Sequence, residues 1–173
     1  MKNLILLPFL LLVLLATACG NDDNDGATPS EDGTISIGGE SITLRAAFKE
    51  SYGPNDADET SYNVDLTLTS DPNLLASGMT WVFFELHTSM EEDFDEITYT
   101  FDEDAYEVGG MTDAYALSNT SLVDFSNFGP QNQARAGTVT ISRSGNTVDV
   151  DFDLTMGDDS RVTGNYRGPL TTL

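Results

Sequence analysis

The chain has 173 residues, enough for one domain, and carries 29 acidic against seven basic residues, a formal net charge of −22. Such a surface repels phosphate backbones, whose binding depends on neutralisation by lysine and arginine, so nucleic acid is excluded as a partner. Cys19 is the single cysteine. An intramolecular disulfide is therefore impossible, and a chain of this size can build its core without one.

Lys2 and the apolar run Leu4–Leu15 form a leader. Its uncharged stretch reaches about 22 Å as a helix at ~1.5 Å per residue, too short for a bilayer core of ~30 Å. Leu15-Ala16-Thr17-Ala18-Cys19 then places small residues before a cysteine. This resembles the bacterial lipobox, which implies a signal peptide over 1–18 and lipidation of Cys19. The ordinary alternative is a cleavage site with an incidental cysteine, disfavoured because the lone cysteine stands where lipidation needs it. Several acyl chains at ~0.8 kcal/mol per buried methylene give stable attachment to a membrane.

Residues 19–33 read as an acidic tether, too polar to bury a core. Asn21-Asp22-Asp23-Asn24-Asp25-Gly26 is similar to the acidic surface-export signal of Bacteroidota lipoproteins, which implies the outer membrane and exposure at the cell surface. Asn21, Asp23, Asp25, Gly26 and Asp32 also fall on EF-hand loop positions. The match lacks the leading Asp, the closing Glu and the flanking helices that calcium loops use.

Residues 34–173 form a single domain with period-two alternation and no helical period. Ile35 and Ile37 lead to Gly39-Glu40; Ile42, Leu44, Ala46 and Phe48 then alternate with polar residues. Tyr62, Val64, Leu66 and Leu68 repeat the pattern. Met79–Leu86, with Trp81-Val82-Phe83-Phe84, is apolar on both faces, as expected of a central strand packed into the core. His87 follows as a satisfied structural residue or a solvent-facing one. Ile97, Tyr99 and Phe101 make a further strand. Between Glu103 and Ala134 the alternation weakens, which predicts irregular strands with long loops. Tyr106, Tyr115, Phe125 and Phe128 lie there as a candidate binding loop.

The last third allows register to be assigned. A two-residue turn at Gly145-Asn146 pairs Ile141 with Val150, Val139 with Phe152 and Thr140 with Asp151. A three-residue loop at Gly157-Asp158-Asp159 pairs Leu154 with Val162, Val150 with Tyr166 and Asp149 with Arg167. The expected architecture is all-β: an antiparallel β-sandwich or flattened barrel of eight to nine strands. Gly137–Ile141, Asp151–Thr155 and Val162–Leu170 resemble the closing hairpins of small Bacteroidota lipoproteins, a likeness that implies address and β-fold and no functional residues.

For chemistry the residues offer little. One histidine and an acylated cysteine leave no zinc ligand set and no Gly-x-Ser-x-Gly elbow. Glu91-Glu92-Asp93, Asp95-Glu96, Asp102-Glu103-Asp104 and Asp158-Asp159 fall in predicted loops, where acids are solvated. Asp149, Asp151 and Asp153 share one strand face and form a candidate calcium ladder, against a solvent-facing face paired in part with Arg167. The expectation is a noncatalytic surface lipoprotein, with no required cofactor, that binds a protein or glycan partner. A glycan hydrolase using a carboxylate pair and a calcium-dependent structural module are the alternatives.

Overall fold

A computed structural model describes residues 32–55, 60–122 and 128–173. The leader, Cys19 and most of the acidic tether lie outside the described residues, as does Phe125. Ten strands make up the fold: β1 Gly33–Ile37, β2 Glu40–Leu44, β3 Ala46–Pro54, β4 Tyr62–Thr69 and β5 Met79–Thr88. β6 Thr98–Phe101, β7 Gly110–Thr120, β8 Ala134–Ser144, β9 Thr147–Met156 and β10 Arg161–Thr172 complete it. A single 3₁₀ turn at Pro130–Asn132 is the helical element among the described residues. The all-β expectation holds, with one or two strands more than the alternation showed.

Register follows from turn chemistry. Gly38 and Gly39 both have positive φ (60° and 83°) and join β1 to β2 in a tight hairpin, with Ile37 opposite Glu40. At Gly145-Asn146 only the glycine has positive φ, 64°, the glycine-first arrangement of a II′ hairpin. Ile141 then faces Val150, Val139 faces Phe152 and Thr140 faces Asp151. After the Gly157–Asp159 loop, Leu154 faces Val162, Val150 faces Tyr166 and Asp149 faces Arg167. All six pairings agree with the sequence reading.

The sheet closes on itself. Its order is β2-β1-β10-β3-β4-β5-β7-β6-β8-β9, and β9 also pairs β10. Eight strands therefore form a ring, β3-β4-β5-β7-β6-β8-β9-β10. Closure comes from a short parallel contact of β10 with β3, Leu170 opposite Ala47 and Thr172 opposite Lys49. The β1–β2 hairpin is an annex, hung on the first half of β10 by Thr34 opposite Asn165. Gly164 makes that approach possible: a Cβ there would stand 2.4 Å from both the Thr34 carbonyl oxygen and the Phe152 ring. The result is a flattened barrel rather than two separate sheets.

Alternation sorts the side chains into an inside and an outside. Val64, Leu66, Leu68, Val82, Phe84, Leu86, Val139, Ile141, Val150, Phe152 and Leu154 fill the interior, with Phe84 and Phe152 meeting edge to face at 5.5 Å. Phe94, 1 % exposed, joins this core from the β5–β6 connection. That connection is pinned by Asp93, which takes Lys49 and Arg143 as ion-pair partners, and by Asp95, which accepts from the Ser89 backbone N–H at 2.6 Å. The acids Glu91–Glu96 thus include structural members, contrary to the solvated loop expected.

A second apolar cluster lies on the other face of the wall. Met79, Trp81 and Leu117 pack there with Phe83, Tyr115, Leu122 and Phe128. Trp81-Val82-Phe83-Phe84 is therefore split: Val82 and Phe84 enter the core, while Trp81 and Phe83 do not.

Candidate ligand pocket

The outer face of β3, β4, β5 and β7 carries a row of four carboxylates, one per strand. Glu50 faces Asp65, Asp65 faces Glu85, and Glu85 faces Asp113. Adjoining the row are Phe48, Phe83, Tyr115, Trp81 and Phe128, and together they line a pocket of about 460 Å³. Tyr115 and Phe128 stand 5.0 Å apart, Trp81 and Phe128 5.3 Å, Phe83 and Tyr115 6.4 Å. Tyr115 and Phe83 are half-buried, so their rings border both the apolar cluster and the opening.

No lysine or arginine among the described residues pairs with any of the four acids. Lys49 contributes to the wall, but its ammonium turns to Asp93 and to the Glu92 carbonyl. The uncompensated row has an electrostatic consequence. Burial, followed by the fields of Glu85, Glu50 and Asp113, raises the Asp65 pKa to about 8. Burial likewise raises Asp113, against a 3.0 Å hydrogen bond donated by Gln133. Tyr52 at the rim is pushed up to about 12 by burial, its hydrogen bond to Glu50 and the field of Asp65. Asp65 is thus mostly protonated at pH 7.

Glu85 is held from below by neutral donors. The Asn63 amide and the Thr112 hydroxyl both donate to Glu85 Oε1, at 3.1 and 3.0 Å. Thr112 reaches it because β7 bulges: Asp113 faces Glu85 while Met111 faces Leu86, and Thr112 is the extra residue between them. The Thr112 hydroxyl also meets His87 Nε2 at 2.8 Å, and His87 Nδ1 meets the Asn55 amide at 3.0 Å. His87, 1 % exposed, is therefore a satisfied buried residue, as one branch of the sequence reading held.

Two polar atoms at this site have no partner among the described residues. Asp65 Oδ1 is buried and unbonded, and so is the indole Nε1 of Trp81, a residue with none of its surface exposed. A buried donor or acceptor left unpaired costs about 1–3 kcal/mol, so both atoms weigh against stability at this face.

The four members of the candidate loop do not stay together. Tyr115 and Phe128 meet in the pocket; Tyr106 lies apart, edge to face on His87 at 5.4 Å, and Phe125 is outside the described residues. Tyr115 belongs to no loop: the eleven-residue β7 runs through the stretch expected to be irregular. Its weak alternation has a physical cause, since the bulge at Thr112 shifts the period and Asp113 and Tyr115 face the pocket rather than bulk water.

The Asp149, Asp151, Asp153 ladder stands on the outer face of β9. Arg167 pairs with Asp149 at 3.2 Å, and Arg161 grips Asp153, lowering its pKa through the hydrogen bond and the opposite charge. Asp151 is exposed, facing Asn165 and Thr140. Arginine thus supplies a countercharge to the two outer members of the ladder, Asp149 and Asp153. Among the described residues no group of three or more His, Cys, Asp or Glu side chains is placed to hold a metal.

Fold and pocket together define the class: a closed, acidic β-barrel with an aromatic–acidic pocket on the outside of its wall. No family model, curated protein or solved structure matches the chain.

Proposed function

We propose that the protein is a noncatalytic binding module, tethered to the outer membrane through lipidated Cys19 and exposed at the cell surface. Its ligand is seated in the aromatic–acid pocket of the β3-β4-β5-β7 wall. The observation that carries this reading is the pairing of half-buried rings, Phe83 and Tyr115, with buried hydrogen-bonding groups, Asp65 Oδ1 and Trp81 Nε1, that no described residue satisfies. Rings offer a stacking surface, and carboxylates and an indole N–H offer directional bonds; that combination suits a glycan. Trp81 is the single tryptophan, so intrinsic fluorescence reports on this pocket alone. Titration with cello-, xylo- and chito-oligosaccharides is expected to give a saturable emission change that Phe83→Ala and Tyr115→Ala abolish. A flat response to all of them, and to the N-deacetylated counterpart of the chito-oligosaccharide as well, removes the reading. Tethering is tested separately: Cys19→Ala shifts the protein from the membrane to the soluble fraction, and continued membrane partitioning refutes the anchor.

One feature favours a second reading, hydrolysis of glycans. Asp65, protonated at neutral pH, stands across from Glu85, and acid–base pairs in glycosidases are set apart by such environments. The bulge, the Asn63 amide and the Thr112 hydroxyl fix Glu85, but the acids form a single row across adjacent strands rather than two sides of a cleft. Incubation with the same oligosaccharides is expected to release no reducing ends. Release that Asp65→Asn abolishes would replace binding by catalysis.

A further inference from the structure

We infer that the pocket takes a cationic sugar, an amino sugar with its nitrogen unacetylated, whose ammonium sits among Glu50, Glu85 and Asp113 while its ring face lies on Phe83 and Tyr115. This rests on the pocket reading above and narrows its ligand class.

Three independent features converge. The first is charge: four acids on adjacent strands with no basic partner among the described residues concentrate a negative potential that a cation from outside relieves. Elsewhere on the barrel several acids do have basic partners, Asp93 in Lys49 and Arg143, Asp149 in Arg167, Asp153 in Arg161. The chain has few basic residues, and none of the described ones pairs with these acids. The second feature is the ring wall. An ammonium beside Phe83 and Tyr115 gains cation–π attraction, and a sugar's C–H face packs on the same surface. The third is the orphaned indole. Trp81 borders the pocket, and its buried indole N–H has no acceptor among the described residues. A simple alkylammonium offers it nothing; a hydroxyl or ring oxygen next to the charged nitrogen does. Positive charge, an apolar face and an oxygen acceptor within about 460 Å³ describe an aminated monosaccharide or one unit of its oligomer.

The test compares a glucosamine tetramer with its fully N-acetylated counterpart and with tetralysine, each titrated calorimetrically and by Trp81 fluorescence. The glucosamine tetramer is expected to bind at least tenfold tighter than either control, and to lose at least tenfold on Glu85→Gln and on Asp113→Asn. Circular dichroism verifies that each variant is folded, and Glu50→Gln, an exposed change, provides an independent third. Equal affinity for the acetylated tetramer overturns the cation while leaving the pocket reading intact. Equal affinity for tetralysine overturns the sugar. Binding of the glucosamine tetramer that survives Phe83→Ala, Tyr115→Ala and the acid variants is general attraction to an anionic surface, and overturns the site. Silence from all three ligands overturns this inference, and only silence from the neutral panel as well removes the pocket reading beneath it.

Discussion

Asp65 shows how far its neighbours can shift the cost of a single carboxyl. Its folded pKa, about 8, lies far above the 3.8 of an unperturbed carboxyl, so between those values the folded state holds a proton the unfolded chain has released. Stability from this group is complete below pH 4 and is lost as pH climbs through 8. The groups that face it are Glu50, Glu85 and Asp113, all acids, and none reverses the sign. Asp65→Asn, which cannot ionise, is expected to gain little at pH 4 and about 2–4 kcal/mol at pH 8.5, read by denaturant melts across that range. A wild-type midpoint that is level over those pH values would contradict the assignment. Phe94 is the complementary case, a side chain whose purpose is burial. Phe94→Ala should cost about 3–4 kcal/mol and, if it merely opens a void, leave the denaturant slope unchanged. Neither residue was legible in advance. Asp65 reads as one polar tooth in an alternating strand, and only its neighbours on β3, β5 and β7 make it unusual; Phe94 sits inside an acidic run that hides it.

At the scale of elements, what could be read locally came out in register. The β8–β9 and β9–β10 hairpins are fixed by two short turns plus the rule that one face must be buried, and both pieces of information sit within thirty residues of chain. The β6–β7 region failed the same method for a definite reason. Its strands pair in parallel, Thr100 opposite Gly110, and β7 carries a bulge, so period and partner both depart from the hairpin pattern. Trp81 and Phe83 show the second limit: an unbroken apolar run announces burial on both faces without saying that one of them is a separate cluster beside an aromatic–acidic pocket. The annex hairpin yields a prediction of its own. Gly164→Ala forces the new methyl against the Thr34 carbonyl and the Phe152 ring, and is expected to destabilise the protein by about 1–3 kcal/mol. Amide exchange at Ile35 should accelerate more than at Val82; equal acceleration would mean that β1–β2 is not the element displaced.

For the whole molecule, composition spoke to charge but not to closure. Twenty-nine acids against seven bases self-repel, and the few arginine pairs on β9 and β10 do not offset this. Raising sodium chloride from about 10 mM to 0.5 M, which shortens the screening length to a few ångströms, should raise the melting temperature by several degrees. A fall would indicate that the arginine pairs dominate. Nothing in the alternation could distinguish an open sandwich from a ring, because the contact that decides it joins residues at opposite ends of the domain.

That contact also sets a timetable for folding. The seam joins Leu170 to Ala47, and β10 borders β9, β1 and β3 at once, so the last strand in the chain is a shared wall for three others. A hairpin such as β8–β9 can zip within microseconds, yet the ring cannot shut until more than a hundred residues have been looped back, a search that places barrels of high contact order in the millisecond-to-second range. Until then β3 presents a bare edge, and the interval before its partner arrives is when one copy is most vulnerable to adding a strand from another.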